Sequence, residues 1–353
     1  MDQHKIKVGI THGDINGIGY EVIIKAMADS RMLEMCTPIV YGSPKVAAYH
    51  RKALDVELFS FNQINTAREA NSKRVNIINC VDEEIRVELG KSTQVAGEAA
   101  LLSLQAAMKD LKSGDIDVVV TAPINKENIQ SEQFHFPGHT EYFAAEFDAK
   151  NYMMLMVSDN LRVGVVTGHI PVAQVPQVLT KEKILKNIRI LHKTVMEDFS
   201  IRKPRIAVLG LNPHAGDNGV IGTDEQKIIF SAIKQANDEG IIAMGPFAAD
   251  GFFGSGEYTK YDAILAMYHD QGLIPFKVLA FDSGVNFTAG LPVVRTSPGH
   301  GTAYDIAGTG IASEQSFRNA IYLAIDVFAN RQLYKELSKD PLQRQDIDRS
   351  GGE

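Results

Sequence analysis

Three histidines of the chain each follow an apolar run and lie close to Gly, Pro or Asp. His169 follows residues 163–166, His214 follows residues 206–211, and His269 follows residues 264–267. We expect each run to be a buried strand that leads into a tight polar turn, and ligands of open α/β sheets bind at such strand ends. Three imidazoles delivered in this way fit a divalent metal with an open position for a substrate. Three unrelated loop histidines would have the same spacing, so spacing alone leaves both interpretations open.

Two cations and an amide lie in the stretch between residues 269 and 295, each beside an apolar, strand-like run. They are Lys277, Arg295 and Asn286. An arginine offers a planar fork for phosphate or carboxylate, and a lysine offers a compact charge. Because an unpaired charge beside an apolar run is costly, we predict partial burial opposite an anionic substrate rather than a purely structural ion pair.

Two other turns carry groups that suit an acidic ligand. Lys126 closes the sequence TAPINK after a predicted strand, and the sequence PGHTE places His139 and Thr140 beside a glycine. Lys126 is equally compatible with a solvated lysine at a helix start. Thr140 is equally compatible with a helix N-cap, although a capping turn also presents its neighbours to a ligand.

A glycine-rich turn follows the first predicted strand and opens a helix. Its sequence GDINGIG contains Gly13, Asp14, Gly17 and Gly19, and its spacing is neither that of a Rossmann dinucleotide site nor that of a P-loop. Glycines let backbone N–H groups approach an anion, and the N-terminus of the following helix favours negative charge. The turn is therefore a candidate nucleotide site, although a simple tight turn between strand and helix explains the same pattern.

A second glycine-bounded turn, near the end of the chain, has the sequence HGTAYDIAG. It contains His300, Gly301 and Asp305 and leads into a helical patch. Its carboxylate could accept a hydrogen bond from a ribose hydroxyl, as acidic residues do in dinucleotide sites. We therefore count it as a candidate site for the adenosine half of a nucleotide.

The composition narrows the class of protein. A chain of 353 residues predicts two domains, because single hydrophobic cores stop growing at roughly 250–300 residues. A net charge of −7 without a long Lys/Arg run argues against nucleic acid as the main partner. No apolar stretch reaches the roughly 18 residues of a membrane span, and the N-terminus lacks the apolar region of a signal peptide. Cys36 and Cys80 have no metal or redox spacing, which fits reduced thiols in the cytoplasm.

Strand-like runs alternate with helical patterns along the chain, which predicts an α/β fold with parallel βαβ units. The predicted strands are residues 7–10, 39–41, 118–121, 152–157, 161–166, 263–267 and 285–288. The predicted helices are residues 21–28, 44–53, 94–111, 181–199, 223–237 and 313–333. Residues 158–160, with the sequence SDN, predict a hairpin and therefore some antiparallel pairing. The last residues, from 346, look dispensable.

As a set, these segments resemble the 4-hydroxythreonine-4-phosphate dehydrogenases of pyridoxal phosphate biosynthesis. The matching strings run from THGDINGIGYE to HGTAYDIAGTGIA and include AMYHDQG, GLNPHAG followed by GTDE, and GVNFTAGLPVVRTS. The first and last strings also resemble isocitrate and isopropylmalate dehydrogenases. The resemblance implies two α/β/α domains of that type with the active site in the cleft between them. Residues 1–133 and 283–353 would form the nucleotide-binding domain, and residues 134–282 would bind metal and substrate and form the dimer.

The resemblance also implies an activity and a site. The activity is the oxidation of 4-phosphohydroxy-L-threonine by NAD or NADP, followed by decarboxylation to 3-amino-2-oxopropyl phosphate. His169, His214 and His269 would hold one divalent ion, zinc, cobalt or magnesium, with ligands contributed across a homodimer interface. The phosphorylated substrate would contact His139, Thr140, Lys277, Asn286 and Arg295. Asp250 and Asp270 are candidates for accepting the proton or for orienting an imidazole.

The sequence departs from the family pattern near the cleft and the nucleotide turns. Ile15 and Asn16 stand where Pro-Ala is usual, Tyr20 where Pro is usual, and Gly299 where Asp is common. Cofactor preference and exact substrate therefore stay open. The alternatives are a dehydrogenase of D-threonate or D-erythronate 4-phosphate or of a cyclic diol carboxylate, a metal-dependent hydrolase, and a non-catalytic phosphometabolite sensor. The intact Lys277, Asn286 and Arg295 favour a phosphorylated compound, and a hydrolase gives no role to HGTAYDIAG.

Overall fold

The structure is a computed structural model that describes residues 5–56, 59–82 and 84–340. In these ranges one sheet contains twelve strands. The strands are β1 Lys7–Thr11, β2 Thr37–Gly42, β3 Asn62–Ile64, β4 Asn76–Asn79, β5 Val118–Thr121, β6 Met153–Ser158, β7 Leu161–Thr167, β8 Arg205–Leu209, β9 Ile242–Phe247, β10 Ala263–Tyr268, β11 Val285–Ala289 and β12 Val294–Pro298. The α/β class predicted from the sequence is therefore confirmed.

Helices connect most of these strands. They are α1 Gly19–Ala28, α2 Met32–Met35, α3 Pro44–Ala53, α4 Gln94–Ser113, α5 His139–Glu146, α6 Val175–Val178, α7 Lys181–Glu197, α8 Phe230–Asp238, α9 Ala249–Gly254, α10 His269–Ala280 and α11 Gln315–Leu337. Three of the predicted helices begin at a capping hydroxyl that accepts a backbone N–H, namely Ser43 before α3, Thr93 before α4 and Thr180 before α7. Such caps stabilise a helix by about 1 kcal/mol.

The strand order is β3-β4-β2-β1-β5-β12-β11-β6-β7-β10-β8-β9. The first six are parallel, and so are β7, β10, β8 and β9. Between these two groups, β11 pairs antiparallel with β12 and β6, and β6 pairs antiparallel with β7, which confirms the predicted hairpin. Because β7, β10 and β8 are parallel neighbours, their carboxyl ends, and the turns that carry the three histidines, lie at one edge of the sheet.

Both faces of the sheet are covered. Val118 and Val120 of β5 belong to one apolar cluster, which includes Phe317 and Ile321 of α11, whereas Val119 belongs to a second cluster with residues of α4. Successive side chains of a strand point to opposite faces. An apolar run such as VVVT is therefore a strand that is buried from both sides.

The structure differs from the sequence-based expectation at His269 and at four strands. The tight polar turn expected at His269 is wrong, because the chain enters α10 at that residue, directly after β10. Leu273, Phe276 and Ala280 bury one face of α10, and Asp270 in its first turn complements the positive end of the helix dipole. The missed strands β3, β4, β9 and β12 are short or contain polar residues and proline.

The sheet is continuous from the first half of the chain to the second. Helix α11 contacts β5, β11 and β12, which lie in the middle of the sheet. The division into domains at residues 134 and 283 stays a prediction. No helix among the described residues is long and apolar enough to cross a membrane. The dispensable tail predicted from residue 346 lies outside the described residues.

Candidate active site

A cleft of about 260 Å³ lies where the middle of the sheet meets α5 and α10. All five predicted substrate residues line it, together with two of the three predicted metal ligands. The lining includes Lys126, His139, Thr140, Glu141, His169, His269, Lys277, Asn286, Arg295, His300 and Gly301. A larger groove of about 770 Å³ between α7 and the end of α11 contains none of the predicted site residues. The smaller cleft is therefore the candidate active site.

Arg295 is a buried cation without an anionic partner in the part of the chain that the structure describes. It lies on β12 and is 2% exposed, and its guanidinium donates to Thr121 Oγ1 over 2.7 and 3.1 Å and to Thr288 Oγ1 over 3.2 Å. Burial lowers the pKa of Arg295 to about 9, although the charge of Glu141 acts in the opposite direction. No carboxylate of the described chain forms an ion pair with it. A buried charge in this state is costly, and an anionic ligand in the cleft would offset the cost.

His139 opens α5 beside this guanidinium. Burial, together with the positive charges of Arg295 and Lys126, holds the pKa of His139 well below its usual value. The ring is therefore neutral near pH 7 and has one donor and one acceptor nitrogen. The N-cap of α5 is Gly138, with no side-chain cap. The interpretation of Thr140 as an N-cap is therefore wrong, and its hydroxyl lies 3.4 Å from that of Thr288.

Three buried polar atoms of the cleft have no hydrogen-bond partner in the described chain. They are Nε2 of His139, Oδ1 of Asn286 and Nε2 of His300. Buried polar atoms without a partner are uncommon in folded proteins and each needs an explanation. A polar ligand in the cleft would satisfy all three, because all three residues line it.

His169 and His269 lie side by side at the ends of β7 and β10. Their ring centroids are 5.8 Å apart and the rings are tilted by 43°. Nδ1 of His269 lies 2.7 Å from Oδ1 of Asp270, so the carboxylate orients this ring and leaves Nε2 as the acceptor. Burial, and next the charge of Lys126, lower the pKa of His169. Two imidazoles in this arrangement suit a divalent metal.

His214 lies apart from this pair. It is exposed, does not line the cleft, and belongs to the turn Pro213–Gly219, in which five consecutive residues have φ between 43° and 80°. A left-handed conformation costs a non-glycine residue about 1–2 kcal/mol, so the surroundings must hold this turn. No group of three His, Cys, Asp or Glu side chains within the described ranges could hold a metal.

The two aspartates proposed for proton transfer are placed differently. Asp250, in the first turn of α9, is exposed and does not line the cleft. Asp270 is 65% exposed at its side chain and bonds to His269. Of the two roles considered, proton acceptance and orientation of an imidazole, the contact of Asp270 with His269 fits orientation. Asp250 does not line the cleft of its own chain.

The glycine-rich turn after β1 is buried and does not line the cleft. Gly13 has φ +68°, and a Cβ there would lie 2.3 Å from the Pro123 carbonyl, while one on Gly17 would lie 2.7 Å from the Thr302 carbonyl. These close backbone contacts require glycine in the absence of any ligand. Gly19 packs in the same way against the carbonyl of residue 12.

Asp14 joins the two predicted nucleotide turns to each other. Its Oδ2 accepts a hydrogen bond from the Tyr304 hydroxyl at 2.7 Å and from Nδ2 of Asn128 at 2.8 Å. Burial, and next the bond to Asp14, raise the pKa of Tyr304 to about 12. The turn GDINGIG therefore supports the turn HGTAYDIAG through the hydrogen bond between Asp14 and Tyr304. The sequence did not predict this contact.

The second turn reaches the cleft at one end only. His300 and Gly301 line it, and a Cβ on Gly301 would meet no atom within 4 Å. Burial lowers the pKa of His300. Asp305 is exposed and lies outside the cleft.

Sequence reasoning missed several residues of the cleft. Glu141 lines it, and its position beside His139 and Thr140 was the available signal. Thr121 and Thr288 hold Arg295, and each ends or lies in a strand that the sequence did predict. Which strands are neighbours decides these contacts, and the linear sequence does not contain that information.

Comparisons with known proteins agree on one family. Residues 34–324 match the model of "Pyridoxal phosphate biosynthetic protein PdxA". A 4-hydroxythreonine-4-phosphate dehydrogenase of Bacteroides thetaiotaomicron is 58% identical over 98% of this chain and 95% of its own length. A protein of Oceanobacillus iheyensis with the provisional name D-threonate 4-phosphate dehydrogenase is 40% identical over 91% of this chain and 97% of its own.

Solved structures agree on the fold. The crystal structure of 4-hydroxythreonine-4-phosphate dehydrogenase from Klebsiella pneumoniae superposes with a TM-score of 0.80 at 33% identity, over 93% of this chain and 99% of that one. An isocitrate dehydrogenase from Methylococcus capsulatus, 12% identical, shares the fold with a TM-score of 0.51 over 95% of this chain and 89% of its own. The predicted isocitrate dehydrogenase-like α/β fold is confirmed. The chain belongs to the PdxA family of pyridoxal phosphate biosynthetic proteins.

Proposed function

We propose that the protein oxidises 4-phosphohydroxy-L-threonine with NAD or NADP and a divalent metal, and that the 3-keto acid decarboxylates to 3-amino-2-oxopropyl phosphate. The observation that carries the proposal is the cleft itself. It combines an unpaired buried guanidinium, three unpartnered polar atoms and a pair of imidazoles. A small polyanion with hydroxyl groups satisfies all of these groups together, and the names of the relatives point to the same compound.

The cations of the cleft bind the charged ends of the substrate. Arg295 is fixed by two threonines before any ligand arrives, so its fork is pre-oriented for phosphate or carboxylate. Lys277, two turns along α10 from His269, and Lys126 bring further positive charge to the same cleft. His139 and Asn286 add hydrogen bonds from fixed positions. Orientation of a reactant in this way contributes up to about 7–11 kcal/mol in the most favourable cases.

The residues present fit a divalent metal. His169 and His269 supply two imidazoles, and Asp270 orients the second through its Nδ1. A divalent ion, when bound, supplies Lewis acidity toward the secondary hydroxyl that is oxidised and toward the ketone that results. Zinc and cobalt suit an imidazole site better than magnesium, which prefers oxygen ligands.

His214 completes this site from a second copy of the chain. His214 is exposed and does not line the cleft of its own chain, whereas His169 and His269 both line that cleft. Three large apolar side chains are exposed on the second half of α10 and just after it, with Ile274 61%, Val278 81% and Phe281 73% exposed. Large apolar patches on a surface mark interfaces. A homodimer that buries these side chains and brings His214 to the partner's imidazole pair explains both observations.

The nucleotide binds at one end of the cleft, and His300 and Gly301 form that end. The open space over Gly301 and the unpartnered Nε2 of His300 suit the nicotinamide end, and Asp305 on the same turn is available to a ribose hydroxyl. Gly13, Asp14, Gly17 and Gly19 would act by supporting this turn. The corresponding nucleotide-binding domain comprises residues 1–133 and 283–353, residues 134–282 form the metal and dimer domain, and the enzyme works in the cytoplasm.

D-Threonate 4-phosphate is the second candidate substrate, because the relative at 40% identity carries that activity in its name. It shares the phosphate, carboxylate and hydroxyl groups that the cleft recognises, and it has a hydroxyl in place of the amino group. The assay is the appearance of reduced NAD with each compound, using chelator-treated protein with and without added zinc or cobalt. Metal-dependent reduction with the amino compound establishes the proposal. Reduction with the threonate alone changes the substrate, and hydrolysis of phosphate without reduction rejects the dehydrogenase.

A further inference from the structure

A buried glutamate holds the turn that carries His214. Glu225 is 3% exposed and lies in a π-helical turn, Glu225–Ile229, before α8. Its Oε1 accepts the backbone N–H groups of Leu211 and Asn212, both at 2.8 Å, and its Oε2 accepts from Nδ2 of Asn212 at 3.1 Å. This carboxylate therefore fixes the chain at the point where it leaves β8 and enters the turn.

The carboxylate of Glu225 also packs against Gly216, in the middle of the turn. A Cβ on Gly216 would lie 2.5 Å from Oε2 of Glu225, so the backbone of Gly216 packs directly on the carboxylate. His214 and its neighbours through residue 218 all have positive φ. Because this conformation is unfavourable by itself, the contacts of Glu225 stabilise the turn together with backbone hydrogen bonds inside it, such as that from Ile221 to Gly216.

Gln271 ties this turn to the other histidines. Its Oε1 accepts the backbone N–H of Met267 at 2.7 Å, and its Nε2 donates to the carbonyl of Gly210 at 2.5 Å. Gln271 lies two residues after His269, and Gly210 lies four residues before His214. One side chain therefore joins the end of β10 to the end of β8 and fixes the spacing of the strand ends.

We propose that Glu225 and Gln271 are positioning residues that preset His214 for metal binding before the metal and the second subunit arrive. The inference rests on the proposed function, in which His214 is a metal ligand. Neither residue lines the cleft or contacts the three imidazoles by a hydrogen bond. Their effect is to present the imidazole in one orientation, and groups that orient a ligand typically change metal affinity by about 10- to 100-fold.

The test measures the affinity of the full-length protein for Zn²⁺ alone, by competition with a chromophoric chelator, in Glu225→Ala, Glu225→Gln and Gln271→Ala. The matched control is Glu21→Ala. Glu21 is also a buried carboxylate, 1% exposed, and it accepts a backbone N–H from Ala312 at 2.9 Å, outside the strand ends that carry His169, His214 and His269. Thermal midpoint and oligomeric state are recorded for each variant in parallel.

We expect Glu225→Ala and Gln271→Ala to bind Zn²⁺ about 10- to 100-fold more weakly than the unchanged protein. Glu225→Gln keeps the oxygen that accepts both backbone N–H groups, so it should recover most of the affinity. Glu21→Ala should lower the thermal midpoint and leave Zn²⁺ affinity within about twofold, since it alters none of these contacts. If Glu225→Ala does not fold, the Zn²⁺ affinities of Gln271→Ala and Glu225→Gln are compared with that of the unchanged protein instead.

Two results overturn the inference. One is unchanged Zn²⁺ affinity in Gln271→Ala and in Glu225→Ala. The other is an equal loss of affinity in Glu21→Ala, which would make the effect a general consequence of lower stability. Failure of the proposed function has a different signature, because the unchanged protein itself would then bind no Zn²⁺ at the histidines, and His214→Ala would have no effect on binding.

Discussion

Replacement of Arg295 by Met should separate substrate binding from stability. Arg295 is a buried guanidinium whose partners among the described residues are two threonine hydroxyls and no carboxylate. Hydrogen bonds to charged groups contribute about 1.5–3 kcal/mol each, and a guanidinium fork can make two of them to a phosphate or a carboxylate. The loss of about 3–6 kcal/mol corresponds to a decrease of roughly 10²–10⁴-fold in kcat/KM. We expect most of this loss to appear as an increase in KM, because the contact forms when substrate binds.

The same replacement should change the free energy of unfolding very little. A buried, unpaired charge costs several kcal/mol, and Met fills a similar volume without that cost. The three hydrogen bonds that the charged guanidinium donates to Thr121 and Thr288 offset this gain, because a hydrogen bond to a charged group contributes about 1.5–3 kcal/mol. We therefore expect the unfolding free energy of the ligand-free Arg295→Met protein to lie within about 2 kcal/mol of the unchanged protein.

The assays are steady-state kinetics with the phosphorylated substrate and urea unfolding without ligands. Arg162→Met is a matched control, since Arg162 is 8% exposed and its guanidinium lies 4.4 Å from the ring centre of Phe199, away from the cleft. This control should lose stability and keep kcat/KM. An Arg295→Met enzyme with unchanged KM, or one that loses stability as the control does, would show that Arg295 is a structural cation and refute the argument.

Three further predictions concern other parts of the molecule. Burial lowers the pKa of His12 from 6.5 to about 4; below pH 6.5 the unfolded chain therefore binds a proton that the folded chain does not. Stability should fall by about 3 kcal/mol as the pH drops through this range, and His12→Phe should show a shallower fall in urea unfolding. Asp14→Asn and Tyr304→Phe should each raise the KM for the nucleotide, and a double-mutant cycle should give a coupling of about 0.5–3 kcal/mol. Mixed subunits of His214→Ala and His269→Ala should recover about one quarter of full activity, because half of the dimers are hybrids with one intact site.

Each of these predictions has a contrary outcome. An unchanged pH dependence in His12→Phe would mean that other groups cause the acid destabilisation. Additive effects of Asp14→Asn and Tyr304→Phe would mean that their hydrogen bond does not position the nucleotide turn. Activity that stays absent in the subunit mixture, with dimers present by sedimentation, would place all three histidines in one chain.

The sequence by itself determined the α/β class, most of the strands and helices, and the five substrate residues and two histidines that line the cleft. Local signals carry this information. A run such as VVVT is apolar enough to predict a strand that is buried on both faces, and hydroxyl caps such as Thr93 mark where helices begin. Polar residues that follow such runs could be recognised as candidate ligands because the ends of strands converge in open sheets.

Only the tertiary structure decided which of these residues meet. Strand β12 was missed because Arg295, Thr296 and Ser297 are consecutive polar residues and Pro298 follows them, so the segment shows neither an apolar run nor an alternation. Gly13 and Gly17 of GDINGIG proved to pack against carbonyls of distant segments, and His214 proved not to line the cleft of its own chain. Hydrophobic periodicity depends on neighbours along the chain, whereas these contacts depend on the order of strands in the sheet and on surfaces that a second subunit would cover.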